Sequence, residues 1–158
     1  MATQVVWGSG ERQSTMIVSM SLTPTALLFL SVQRWRLEGH PHERELARGW
    51  ARAVDEARAG GQLIVLLQWD GAADTPGETF GKGWTLHPDF RAEAGDLLIR
   101  AMLPDAFAHT DLAAELHARA VRDLVLLARP DAPEAAATAG SAQAAGFTVR
   151  VLDLPALA

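Results

Sequence analysis

Three stretches of the chain carry nearly unbroken runs of Leu, Ile and Val at strand length: Ala26–Val32, Leu63–Gln68 and Asp123–Ala128. Polar residues do not alternate within them, as expected for parallel strands covered on both faces. Leu97–Ile99 and Thr148–Leu152 are shorter strands of the same kind. Between these runs the apolar period lengthens. Glu43–Ala59 places Leu46, Trp50, Ala53, Val54 and Ala57 on one stripe and stops at Gly60-Gly61, which predicts an amphipathic helix with a glycine end. Thr110 is placed to cap a helix through Arg119, with Asp111 in a first turn that favours an acid. A third helix, mostly alanine, is predicted from about Pro133 to Ala145, where Gly146 ends it. Strand and helix alternate with short connections, which predicts a three-layer α/β/α domain around a mainly parallel, Rossmann-like sheet. Asp70–Asp96 has neither period and carries Gly71, Gly77, Gly81, Gly83, Pro76 and Pro88, so it reads as a long loop. Loops of that length tend to be functional or mobile.

Composition narrows the chemistry. With 158 residues the chain fits one domain and can bury a substantial core. It contains no cysteine, so it has no disulfide framework, no thiolate metal site and no thiol nucleophile. The net charge is −5, and the 14 basic residues, of which only Lys82 is a lysine, are spread along the chain. That distribution argues against a nucleic-acid partner, which needs a concentrated basic face. Met16–Leu30 is broadly apolar, but Ser19, Ser21, Thr23, Pro24 and Thr25 interrupt it, so neither a membrane span nor a signal peptide is expected. The expected location is the cytoplasm.

The run Ala26-Leu27-Leu28-Phe29-Leu30-Ser31-Val32-Gln33 resembles the first strand of isochorismatase-like cysteine hydrolases, which ends in Asp-x-Gln. Leu63–Gly71 resembles that family's second strand and its His-Asp-Gly ending, with Trp69 where His is common. Trp84-Thr85-Leu86-His87-Pro88-Asp89-Phe90 is similar to its loop before the third strand. The stretch from Gly95-Asp96 to Leu112 resembles its Lys-x-x-x-Ser-Ala-Phe-x-x-Thr-x-Leu signature, and Glu134–Gly146 keeps the Thr138, Ala139, Ala142 and Gly146 spacing of the helix that opens with the catalytic Cys. The resemblance runs from Ala26 to about Leu152 and implies a sheet in the order 3-2-1-4-5.

In that family an Asp accepts the thiol proton, a Lys lowers the local potential, and a Cys attacks a carbonyl or amide carbon. The aligned residues here are Ser31, Ala101 and Glu134. None can take the corresponding role: Ser31 is no base at neutral pH, Ala101 has no charge, and Glu134 is a poor acyl-transfer nucleophile. The resemblance also implies an oxyanion hole with one donor four residues before the nucleophile, where this chain has Pro130 and no N–H. A cis peptide is common just before that position, so Arg129-Pro130 is expected to be cis. Losing a nucleophile costs on the order of a millionfold in the measured precedent, and an oxyanion donor roughly a hundred- to a thousandfold.

Glu134 then has two readings: a general acid or base on the floor of the inherited pocket, or a first-turn acid favoured by the helix dipole. Arg129 would serve the first as an anion clamp. Trp35, Trp69 and Trp84 are expected to face or rim the pocket, stacking on a small aromatic or amide ligand or, for Trp69, filling the space a substrate once used. Gln33 survives from the motif as a backbone-ordering residue. Phe107 joins the pocket, flanked by Asp105 and His109, which could pair with Glu134 or a substrate, although Asp105 reads first as a turn or cap. His40-Pro41-His42-Glu43-Arg44-Glu45 offers possible metal ligands, but Pro41 reads as a first-turn proline and Glu43 and Glu45 as N-terminal acids, so no metal and no cofactor is expected.

Residues 1–22 read as an N-terminal extension and 23–158 as the family-like domain, shortened at its C-terminus. Thr3–Trp7 and Thr15–Met20 have strand composition, and one of them is expected to cover the sheet edge left open by a missing sixth strand. The function expected first is that of a homologue without cysteine-hydrolase activity, acting by binding or by assembly as a homo-oligomer. The alternative is an enzyme that installed new chemistry around Glu134. An active hydrolase of the family type is the third.

Overall fold

The computed structural model describes residues 24–152. Five strands, β1 (Thr25–Phe29), β2 (Leu63–Trp69), β3 (Leu97–Ala101), β4 (Asp123–Leu127) and β5 (Thr148–Leu152), form one sheet in the order β3-β2-β1-β4-β5. Every pairing is parallel. The helices are α1 (Arg34–Leu37), α2 (Glu43–Ala59), α3 (Leu112–Ala118) and α4 (Glu134–Ala144), with a single 3-10 turn over Lys82–Trp84. The α/β/α architecture and strand order expected from the sequence are those observed. The predicted N-terminal strands lie outside the described residues, in which β3 and β5 are the two sheet edges.

Alternation along the buried strands sorts the core into two halves. Leu27, Phe29, Ile64, Leu66, Val125 and Leu127 meet the α2 stripe of Leu46, Ala47, Trp50, Val54 and Ala57. Ala26, Leu28, Leu30, Val65, Leu67, Trp69, Leu124 and Leu126 meet Leu112 and Leu116 of α3 and Ala142 of α4. Leu28 is fully buried in the second half. Leu28→Ala is therefore expected to cost about 2–5 kcal/mol in urea unfolding, with its slope against denaturant unchanged.

Several boundaries differ from the sequence reading for local reasons. The first strand ends at Phe29 rather than Val32 because the Leu30 carbonyl is taken by the Trp69 indole N–H at 2.7 Å and the Val32 carbonyl by the His87 N–H at 2.8 Å. The third strand reaches Ala101, whose carbonyl accepts the Asp70 N–H. Asp111 rather than Thr110 occupies the cap position of α3, while the Thr110 hydroxyl donates to the Ala106 carbonyl and accepts the N–H of Leu112, the first helical residue, at 3.3 Å. Pro41 lies ahead of the α2 cap His42, while Glu43 and Glu45 are in its first turn.

The direction of strand order reverses between β1 and β4. In open α/β sheets the crevice beyond the carboxyl ends of such a strand pair is where ligands bind. Ser31, Arg129 and Glu134 all follow those ends, and Ala101 closes β3 on the same side.

Candidate functional site

At the carboxyl end of β1, Ser31 is fully buried, and its hydroxyl oxygen accepts the Arg129 N–H at 3.1 Å. It thus ties the end of β1 to the segment leaving β4. Ala101 is also buried and joins Trp69, Ala106 and Ala128 in the apolar cluster. The third position of this set, Glu134, opens α4 with its carboxylate turned into the protein rather than to solvent.

That carboxylate meets Arg36, which the sequence reading did not single out. Arg36 Nη2 donates to Glu134 Oε2 at 2.6 Å, and the two side chains are 9% and 8% exposed. The guanidinium lies 4.5 Å from the Trp35 ring centre and 5.6 Å from that of Trp69. Glu134 Oε1 and Arg36 Nε are buried with no partner among the described residues. The Arg36 carbonyl accepts from Arg129 Nη1 at 2.7 Å, which fixes the backbone of the one-turn helix α1 over the site. Here a cation brought from α1 balances the charge at the head of α4.

Trp69 is nearly fully buried, and its bond to the Leu30 carbonyl carries the indole across the end of β1. Gln33 braces it. The Gln33 amide oxygen accepts the Trp69 N–H, and its amide nitrogen donates to the Trp69 and Trp84 carbonyls at 3.0 and 2.9 Å. Gln68 reaches the same Trp84 carbonyl. The Gln33 amide is therefore engaged with backbone through both its oxygen and its nitrogen.

The remaining expected pocket residues are dispersed. Trp35 carries the Arg36 cation but is wedged under the long loop, since a Cβ on Gly77 would fall 2.5 Å from its Nε1. Trp84 donates its indole N–H to Asp70 and stacks edge-on with Phe80, beside Arg100. Arg100 alternates with Ala101 along β3, so this second aromatic group stands on the opposite sheet face from Trp69. Phe107 packs on Phe147 with ring centres 5.9 Å apart. Asp105 caps the Phe107 N–H and accepts from Ser141, the turn role its sequence position suggested, rather than meeting Glu134. Pro130 is exposed. The expected cis bond at Arg129-Pro130 is corrected: every peptide bond among the described residues is trans. The trans isomer is favoured even before proline, and the Ala132 N–H closes its turn on the Arg129 carbonyl with that isomer in place.

Arg129 turns away from an anion-clamp role, since its Nε and Nη2 hold Asp131 at 3.0 and 2.6 Å. That hydrogen bond holds the Asp131 carboxyl below its ordinary value of 3.8. Glu43, bonded to His87 and to the Gly39 N–H, is likewise lowered from 4.5. Both groups bind protons more readily in the unfolded chain, so their contribution is present above the ordinary carboxylate range. It is expected to be lost as pH falls through the lowered folded values, which urea unfolding at a series of acidic pH values measures. His40 accepts the His42 N–H, and among the described residues no three His, Cys, Asp or Glu side chains are grouped to hold a metal.

The glycines of the long loop explain how it seats on Trp35. A Cβ on Gly83 would strike the Pro76 carbonyl and come within 2.9 Å of Trp35 Cβ. Gly83→Ala is thus expected to lift the loop, with faster hydrogen exchange over residues 71–85 and intact exchange protection in the sheet. Surface cavities of about 480, 380 and 310 Å³ lie elsewhere, and none of the three is lined by Ser31, Trp69, Ala101 or Glu134. Among the described residues no helix is long and apolar enough to cross a membrane.

No protein-family model matches the chain. A streptothricin hydrolase from Streptomyces noursei is 33% identical over 127 residues, 78% of this chain and 46% of that enzyme. The chain therefore spans about half the length of the curated relative it matches. Among solved structures, a protein from Burkholderia xenovorans LB400 assigned as an isochorismatase superposes with a TM-score of 0.74 at 32% identity, over 83% of this chain and 66% of that one. N-carbamoylsarcosine amidase from Thermoplasma acidophilum superposes at 0.73 over 82% of this chain and 81% of its own, and at 18% identity that likeness speaks for the fold alone.

Proposed function

The chain belongs to the isochorismatase-like hydrolase superfamily, and from that premise we propose that it is a member without cysteine-type hydrolysis, acting by binding or by assembly with further copies of itself. The observation that carries the reading is the Arg36–Glu134 ion pair under Trp69, occupying the ground where the family's nucleophile stands. Ser31 supports it, because a hydroxyl that accepts the Arg129 N–H stands where the family has its carboxylate base. Ala101 supports it as well, giving an apolar wall in place of a cation. The alternative with Glu134 as a general acid or base is disfavoured by the same ion pair, which holds the carboxylate against a permanent cation instead of leaving it open to substrate.

The test is turnover by the purified chain of isochorismate, nicotinamide, N-carbamoylsarcosine and streptothricin. No turnover above buffer is expected. Hydrolysis of any of them at about 1 s⁻¹ or faster, in the range of ordinary enzymes, would refute the reading. Sedimentation at micromolar protein tests the assembly part, where a strictly monomeric chain would leave binding as the sole role.

A further inference from the structure

We propose that Trp35, Trp69 and Glu134 form a cage for a guanidinium-type planar cation, and that Arg36 occupies this cage as a tethered ligand. The inference rests on the closed, non-hydrolytic reading of the cleft and names the ligand class of that same site. Two indoles and one carboxylate surround the Arg36 guanidinium, at 4.5 and 5.6 Å from the ring centres and 2.6 Å from Glu134 Oε2. Aromatic faces and a carboxylate in a desolvated pocket are the two features that bind a weakly hydrated, flat cation.

The fit of Arg36 is incomplete in a way that points to a ligand site. Arginine–carboxylate pairs frequently close as a fork with two parallel bonds. Among the described residues one bond is made, and both Glu134 Oε1 and Arg36 Nε stay buried without a partner there, on side chains more than nine-tenths buried. A free guanidinium, unconstrained by the α1 backbone, can turn to use both carboxylate oxygens. The Arg36 main chain need not move when its side chain leaves, because Arg129 holds its carbonyl and the loop glycines hold Trp35. Tethering gives Arg36 a high effective concentration, so an outside cation must exceed it or bring contacts of its own.

The experiment removes the tethered occupant. Arg36→Ala is melted in rising methylguanidinium chloride and in matched sodium chloride. A saturable rise in melting temperature is expected with methylguanidinium alone, or recovery of folded signal where the variant by itself is unfolded. The wild type, with its cage filled, is expected to show no such rise, and Arg36→Ala/Glu134→Gln is expected to lose it. An equal response of Arg36→Ala to the two salts would overturn the proposal. So would a rise that survives in the double variant, or one that is as large in the wild type. Hydrolytic turnover by the wild type bears on the earlier reading instead, so the two failures are told apart.

Discussion

Glu134→Ala is expected to lower stability by about 3–5 kcal/mol, the cost of leaving a buried guanidinium without its counter-charge. For a chain of this size that is a fall in melting temperature on the order of 10 °C. The effect comes from the partner left behind more than from the pair's own worth, because two charges taken out of water recover little beyond their desolvation. Arg36→Met/Glu134→Leu is accordingly expected to fall within about 1 kcal/mol of the wild type or above it. Urea unfolding of the single and double variants decides the matter. A single variant within about 1 kcal/mol of the parent would mean that water reaches Arg36 freely and that the pair is not sealed.

The second large effect belongs to Trp69. Trp69→Ala is expected to cost about 3–5 kcal/mol for the lost indole and its cavity. A further roughly 1–3 kcal/mol follows if the Leu30 carbonyl is left without a donor. Trp69→Phe helps to separate the two contributions, since it removes the N–H while keeping an aromatic ring and much of the volume. The space left by the ring is bordered by apolar side chains, by the Leu30 carbonyl and by the Arg36 guanidinium, so free indole, with its flat ring and its N–H, matches what was removed. Indole is therefore expected to raise the melting temperature of Trp69→Ala and to leave the wild type unmoved. Failure of indole to act, with the variant folded, would mean that the walls collapse onto the gap.

Much of this architecture was written in the strands. Buried parallel strands need apolar side chains on both faces, so β1, β2 and β4 show as continuous runs that no surface strand would carry. That Ser31, Ala101 and Glu134 share one end of the sheet was legible because Ser31 follows a strand, Ala101 closes one and Glu134 opens a helix. Arg36 was not. It lies in a four-residue helix with no period of its own, and its partner is 98 residues further along the chain. Nothing local distinguishes an arginine bound for the interior from one that stays in water. The seating of Trp35 was hidden for a related reason: it is set by Gly77 and Gly83, whose value as points of close approach appears only when the loop is folded over it. Trp84 followed the alternation of β3 to the other face, a consequence of a register that the short run Leu97–Ile99 did not specify.

The segment between β2 and β3 is fastened at both ends. Asp70 holds Arg100 and the Trp84 indole at one end, and Arg58 grips Glu93, Asp96 and the Arg91 carbonyl at the other. Glycine-rich stretches of this length are ordinarily the first places a protease cuts. This one is held as a riveted plate, and trypsin should spare Lys82 in the native protein and cut there once urea unfolds it. Engineering that shortens or replaces it would unseat Trp35 and, with it, the charge held beneath the sheet's end.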